Sequence, residues 1–180
     1  MKRSVLSAAL SRAALSFAFP AGADEERLVR FDGGIGVIPV SNGVVPGGLP
    51  ATTATAEVVT RNVVRGTPPG GQPWVIDRLR ADVDRDGGIS VRGDGLLLAG
   101  GNNIGTNAGQ SVRARLFCQE PNSNPASFTA HDSGLVPLQA NGNFRIDDVV
   151  SPAPPVPCDN PVLLVVSAGG NWFAAGILKR

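Results

Sequence analysis

Val112, Ala114, Leu116 and Cys118 occupy every second position of one short stretch, with Arg113, Arg115 and Phe117 between them. Successive side chains of an extended chain point to opposite faces, so a period of two defines a strand whose one face lies in a core. Cys118 belongs to that core face. No stretch of comparable clarity repeats at the helical spacing of three and four. The 23 Gly and 15 Pro punctuate a chain rich in Val, Ile and Leu, which is the composition of sheets joined by turns.

From Phe31 onward the chain reads as short apolar segments separated by turn chemistry. Gly36 to Val40 is expected as a first strand, marked as an edge by Pro39, and Thr53 to Val64 as a longer, half-buried one. Trp74 and Ile76, then Leu79, Ala81 and Val83, alternate with one slip. A bulge near Asp77 explains the slip, and Asp86-Gly87-Gly88 then turns the chain back into Ile89 to Arg92 as a hairpin. Gly95 to Ala99 is a short apolar run suited to a strand covered on both faces. Leu135 to Leu138 and Phe144 to Ile146 flank Asn141-Gly142, which predicts a hairpin with a type I′ turn. Val162 to Val166 and Trp172 to Ile177 flank Gly169-Gly170 in the same manner. Trp172 and Phe173 are expected on opposite faces, one in the core and one exposed.

About nine strands result, in a single all-β domain over residues 34–180. The expected architecture is an antiparallel β-sandwich that resembles immunoglobulin-like folds at the level of architecture. Four connections are long and rich in Gly, Pro, Ser or Asn: Ser41 to Pro50, Arg65 to Pro73, Gly100 to Gln110, and Gln119 to Ser127. Such loops are where binding residues concentrate. Pro152 to Pro157 reads as a stiff, extended connector leading to Cys158.

The first residues carry a different signal. Met1-Lys2-Arg3, apolar stretches at residues 5–10 and 13–19, and Ala21-Gly22-Ala23 before Asp24 form the pattern of a secretory signal peptide over residues 1–23, followed by an N-terminal segment over 24–33. Secretion or a periplasmic location is therefore expected, with no transmembrane segment once the signal is removed. Removal also takes away Lys2, Arg3 and Arg12, so the 16 basic and 15 acidic side chains of the whole chain become 13 and 15. A mature chain with a net charge of about −2 is not a nucleic-acid binder by charge. Two cysteines in an oxidising compartment predict one disulfide, Cys118 to Cys158.

Candidate chemistry is sparse. Asp82-Val83-Asp84-Arg85-Asp86-Gly87-Gly88-Ile89 places carboxylates at alternate positions ahead of a glycine and an aliphatic residue, and so resembles the first two thirds of an EF-hand calcium loop. The resemblance implies a weak calcium site on Asp82, Asp84 and Asp86, since Gly93 stands where the family has its bidentate glutamate. The same residues are also what a hairpin turn demands. Arg92-Gly93-Asp94 matches the tripeptide of cell-adhesion ligands and serves equally as a turn. His131, the sole histidine, neighbours Asp132 and Ser133, yet adjacent residues on a strand face opposite ways and make no triad among themselves. A hydrolase built on His131 would need a distant serine and carboxylate; an exposed loop histidine is the simpler expectation. Gly100 to Thr106 lacks the ending of a phosphate loop, and Asp147-Asp148 sit side by side at a strand end. Arg113, Arg115 and Arg145 are expected on a solvent face, paired with Asp82, Asp84 or Asp147, with an anion-binding strip as the functional alternative.

The function expected from these residues is that of a secreted or periplasmic, non-enzymatic binding or structural module without a cofactor, unless the Asp82 turn takes calcium. Its partner is an unidentified protein or cell-envelope component, met through long loops or a sheet edge.

Overall fold

The alternation at 112–118 folds into the ladder at the centre of the protein. In the computed structural model, which describes residues 26–39, 62–123 and 125–179, β6 (Ser111–Gln119) buries Val112, Ala114, Leu116 and Cys118 completely. It pairs on one side with β10 (Asp159–Ser167) and on the other with β7 (Phe128–Asp132) and β8 (Val136–Pro137). Beyond β10 follow β11 (Trp172–Leu178), β1 (Arg27–Gly36), β3 (Arg78–Asp84), β4 (Gly88–Asp94) and β9 (Phe144–Val149). Every pairing in this nine-stranded sheet is antiparallel. β2 (Trp74–Val75) and β5 (Leu97–Leu98) form a separate short pair.

The sheet curls like half a barrel until its two edges touch. Asp132 at the end of β7 and Ser151 just beyond β9 exchange backbone hydrogen bonds of 3.0 and 2.9 Å. The Asp148 carboxylate on β9 also accepts the Gly134 amide at 2.6 Å. One face of each long strand fills the interior: Phe31, Leu79, Val83, Val91, Leu116, Ile146 and Leu163 are essentially inaccessible. Each such side chain contributes roughly 1.5–3 kcal/mol relative to exposure. A disulfide links Cys118 to Cys158, closing a sequence separation of 40 residues.

Three reversals use one turn. Asp84, Gln139 and Ser167 each accept, on their carbonyl, the amide of the glycine three residues on, Gly87, Gly142 or Gly170, at 3.1, 2.8 and 3.0 Å. Those glycines have φ of 90°, 78° and 88°. This is the three-residue hairpin loop, a type I turn closed by a left-handed glycine. The type I′ turn expected at Asn141-Gly142 is corrected accordingly, because Asn141 does not adopt positive φ. Its flanking segments also part company: β8 pairs with β6 and β9 with β4, joined to each other only near the Gln139–Asn143 bond.

Other boundaries move for physical reasons. The first strand is β1, earlier than Gly36 to Val40, because Val29 and Phe31 supply core side chains opposite Val83 and Ala81. Ile76-Asp77 interrupts the expected strand with a full break, separating β2 from β3. Of Thr53 to Val64 only residues 62–64 are described, and Val64 makes a single bridge to Thr67. The expected signal peptide and the Ser41 to Pro50 loop lie outside the described residues.

Residues 62–70 form a strap over the outer face of β6, β10 and β11. Arg65 donates to the Phe117 and Asn160 carbonyls and lies 3.6 Å from the Phe128 ring centroid. Thr67 accepts from Arg115, and Trp172 donates its indole N–H to Asn62 O at 2.8 Å. In consequence β10 is buried on both sides, with Leu163 and Val165 facing inward and Leu164 and Val166 beneath the strap, all fully inaccessible. The strap also corrects the expectation for Trp172 and Phe173, both of which are buried.

Candidate functional site

Two of the four long connections converge at one end of the sheet. β6 begins there and β10 ends there, so the 100–110 loop and the β10–β11 turn are neighbours. The 65–73 connection arrives at the same end because Trp172 N donates to Pro68 O and Gly70 N to Trp172 O, both at 2.9 Å. Ala99 N, donating to Pro73 O at 2.8 Å, ties the second loop to the first. Within 100–110 the chain folds into consecutive turns, and the Asn107 amide anchors them by donating to the Leu138 and Gln139 carbonyls at 3.0 Å.

These segments enclose a shallow cleft of about 300 Å³. Its floor includes Trp74 and Phe173, stacked with ring centroids 4.1 Å apart and planes inclined by 15°. Gln72, Gln110, Ser167 and Asn171 contribute to its walls, and the lining among the described residues contains no charged side chain. Amides and a hydroxyl both donate and accept hydrogen bonds. The two rings are 4 and 5 % exposed and cover one another, so they support the walls, whose amides and hydroxyl suit an uncharged, hydrogen-bonding ligand.

The residues singled out by sequence lie elsewhere. Asp82 is on β3, its carboxylate 2.9 Å from Arg27 and 3.7 Å from Arg30. Asp86 caps the β3–β4 turn by accepting Gly88 N at 2.9 Å, and Asp84 ends the strand. Among the described residues no three His, Cys, Asp or Glu side chains gather as a metal site. Arg92-Gly93-Asp94 forms the last three residues of β4, paired with Arg80, Leu79 and Arg78 of β3, and does not occupy a turn.

His131 corrects the expectation of an exposed loop residue. It is on β7, 2 % exposed, with Nδ1 2.8 Å from Pro152 O and Nε2 buried without a partner among the described residues. Its neighbours diverge as strand geometry requires. Asp132 receives the Arg115 guanidinium in a two-pronged contact of 2.7 and 2.6 Å, with Arg113 at 3.7 Å, while Ser133 Oγ accepts Ala114 N. The pairings expected for Arg113 and Arg115 with Asp82 or Asp84 are thus replaced by Asp132, the cross-strand neighbour of Arg115. Arg145 does pair with Asp147, at 2.5 Å.

Several carboxyls are held below their ordinary range. For Asp147 the main cause is Arg145, followed by the Ser90 hydroxyl; for Asp32 it is Lys179, with Arg80 adding to it; for Asp148 it is the Gly134 amide and then that of Val149. None of these groups borders the cleft. The Gln119 to Ser127 loop is at the opposite end of β6, closed by Glu120 N donating to Ser127 O and by a contact between Thr129 and the Glu120 carboxylate.

The strap and the aromatic floor escaped the sequence reading. The available signal was the unbroken run Val162 to Val166, which alternation alone does not produce and which marks a strand covered on both faces. Fold and site together define an all-β protein with a curled, disulfide-linked antiparallel sheet and a loop-built cleft at one end. Comparison with protein-family models, with curated proteins and with solved structures finds no match.

Proposed function

We propose that this chain is an exported, non-enzymatic binding module whose loop-end cleft takes a neutral, hydrogen-bonding ligand, of which an uncharged sugar unit is the simplest example. The observation that carries the proposal is a lining of amides and a hydroxyl, supported by the buried Trp74–Phe173 pair, that among the described residues holds no charge. A sugar offers uncharged hydroxyls that both donate and accept, which is the chemistry such a lining complements. In this reading residues 1–23 direct export and are removed, the Cys118–Cys158 disulfide suits an oxidising compartment, and the sheet wraps its core in the manner of a sandwich.

Titration calorimetry of the protein with a panel of neutral oligosaccharides tests this. At least one member is expected to bind, and Gln72→Ala with Gln110→Ala to weaken it by an order of magnitude or more while the melting temperature holds. A panel that gives no heat, or binding that survives both substitutions, refutes the proposal.

A further inference from the structure

Away from the cleft, the outer face of the sheet carries an arrangement that stability alone does not favour. Arg80 on β3 is directly opposite Arg92 on β4, and Arg92 is directly opposite Arg145 on β9. Adjacent strands are about 4.8 Å apart, so three guanidinium side chains stand in one row across the sheet. Their side chains are 60, 68 and 70 % exposed. Like charges facing each other across strands are destabilising. The neighbouring row shows the usual solution, with Arg30, Asp82, Ser90 and Asp147 in register and no two cations adjacent.

Among the described residues the carboxylates along this row do not balance its cations. Arg78 and Arg92 share Asp94, Arg80 and Lys179 share Asp32, and Arg145 holds Asp147. Five cations there meet three carboxylates. Arg80 and Arg92 approach their partners only to 3.3 and 3.6 Å, and exposed pairs of this kind open readily. At the β9 end of the row a hollow of about 270 Å³ is lined by Arg92, Asp94, Gln139, Asn143, Phe144 and Arg145. It sets two guanidinium groups beside two amides, with the Asp94 carboxylate already paired to Arg78 and Arg92.

We propose that this face binds an acidic polysaccharide, its chain laid across the strands along Arg80, Arg92 and Arg145. The planar guanidinium fork matches carboxylate or sulfate groups, and Gln139 and Asn143 supply donors and acceptors for the hydroxyls between them. Single-stranded nucleic acid would also need aromatic platforms for its bases, whereas the exposed large apolar side chains among the described residues are all aliphatic. A lipid surface would need an apolar band, and Val149 is the only exposed large apolar side chain on β9.

The test uses polygalacturonate, its fully methyl-esterified and therefore neutral form, a single-stranded oligonucleotide, and vesicles of anionic phospholipid. The protein is expected to bind polygalacturonate at low ionic strength and not the ester. The combined Arg80→Gln, Arg92→Gln, Arg145→Gln variant is expected to lose at least tenfold in affinity with its melting temperature retained. Its slope of log K against log salt should become shallower by about 2, at roughly 0.7 per neutralised charge on a single-stranded polyanion. Arg85→Gln, which removes an exposed charge from the β3–β4 turn, should bind as the parent does. Absence of polygalacturonate binding, an unchanged triple variant, equal loss in Arg85→Gln, or tighter binding to the oligonucleotide or vesicles overturns the proposal. None of these outcomes bears on the cleft.

Discussion

Replacing Gly93 by alanine should destabilise the protein, although glycine inside a strand ordinarily costs about 0.5–1 kcal/mol relative to alanine. Gly93 is buried on β4 opposite Phe144 of β9. A Cβ added there would be 2.1 Å from Cε1 of the Phe144 ring, 2.3 Å from Cζ and 2.8 Å from Cδ1. Carbon atoms in contact prefer about 3.5–4.0 Å, so the ring must retreat by more than 1 Å, roughly the difference between the two distances. Phe144 is itself 4 % exposed and packed in the core, and close-packed interiors resist such a shift. Overpacking of this kind costs about 1–3 kcal/mol, and a rigid ring displaced this far falls toward the upper end. A net loss of about 2 kcal/mol lowers the melting temperature by roughly 4–8 °C for a domain of this size. Urea unfolding should show a reduced midpoint with an unchanged m-value. In Gly93→Ala combined with Phe144→Leu the smaller side chain makes room, so the two losses should add to less than their sum by about 1 kcal/mol or more. Strict additivity, or a Gly93→Ala protein as stable as the parent, would refute the reasoning. The same contact explains why a glycine stands between Arg92 and Asp94: the Phe144 ring occupies the space a side chain would fill.

Removing the disulfide by Cys118→Ser with Cys158→Ser should lower stability by about 4 kcal/mol, given the 40-residue separation and the entropy of closing such a loop in the unfolded chain; denaturant midpoints under non-reducing conditions check this. Leu164→Ala should cost about 2–5 kcal/mol, because the 62–70 strap buries the outer face of β10, and a loss within 0.5 kcal/mol of zero would mean that this face is open to solvent. For Asp148, whose carboxyl is lowered by the Gly134 and Val149 amides, the sign follows from a folded value below the unfolded one. Its contribution is present above the ordinary carboxyl value of 3.8 and is lost as pH falls through the lowered folded value. Asp148→Asn should therefore lie below the parent in stability at pH 6, with the gap narrowing in acid below pH 3.8, as read by thermal melts across pH.

Local features were legible in the sequence, and those decided by distant residues were not. The period of two fixed β6 and its core face, and Gly87, Gly142 and Gly170 marked the three reversals through the positive φ that their turns require. Which strands those reversals bring together is a separate matter. Phe144 to Ile146 pairs with β4 rather than with the segment just before it, because Val91 and Gly93 present the complementary core face. Alternation predicts Trp172 and Phe173 on opposite faces, but the register of β11 against β10 shifts there, leaving Phe173 unpaired, and alternation carries no sign of the strap, whose Thr67-Pro68-Pro69-Gly70 has no periodic pattern. His131 read as a polar loop residue because its polarity outweighed its place on β7 opposite Leu116. Composition marks the loops at 65–73 and 100–110 as binding candidates, whereas their meeting over Trp74 and Phe173 depends on β6 starting where β10 ends. The arginine row has the same origin. Alternation assigned Arg145 to the outer face, but only the register sets it beside Arg92 and Arg80.

The cleft is tested most directly by nuclear magnetic resonance of the ¹⁵N-labelled protein titrated with a neutral oligosaccharide that binds in calorimetry. Shifts are predicted for the side-chain amides of Gln72, Gln110 and Asn171, the indole N–H of Trp74 and the backbone amides of Gly70 and Gly169. Shifts confined to any other part of the sheet would contradict the account.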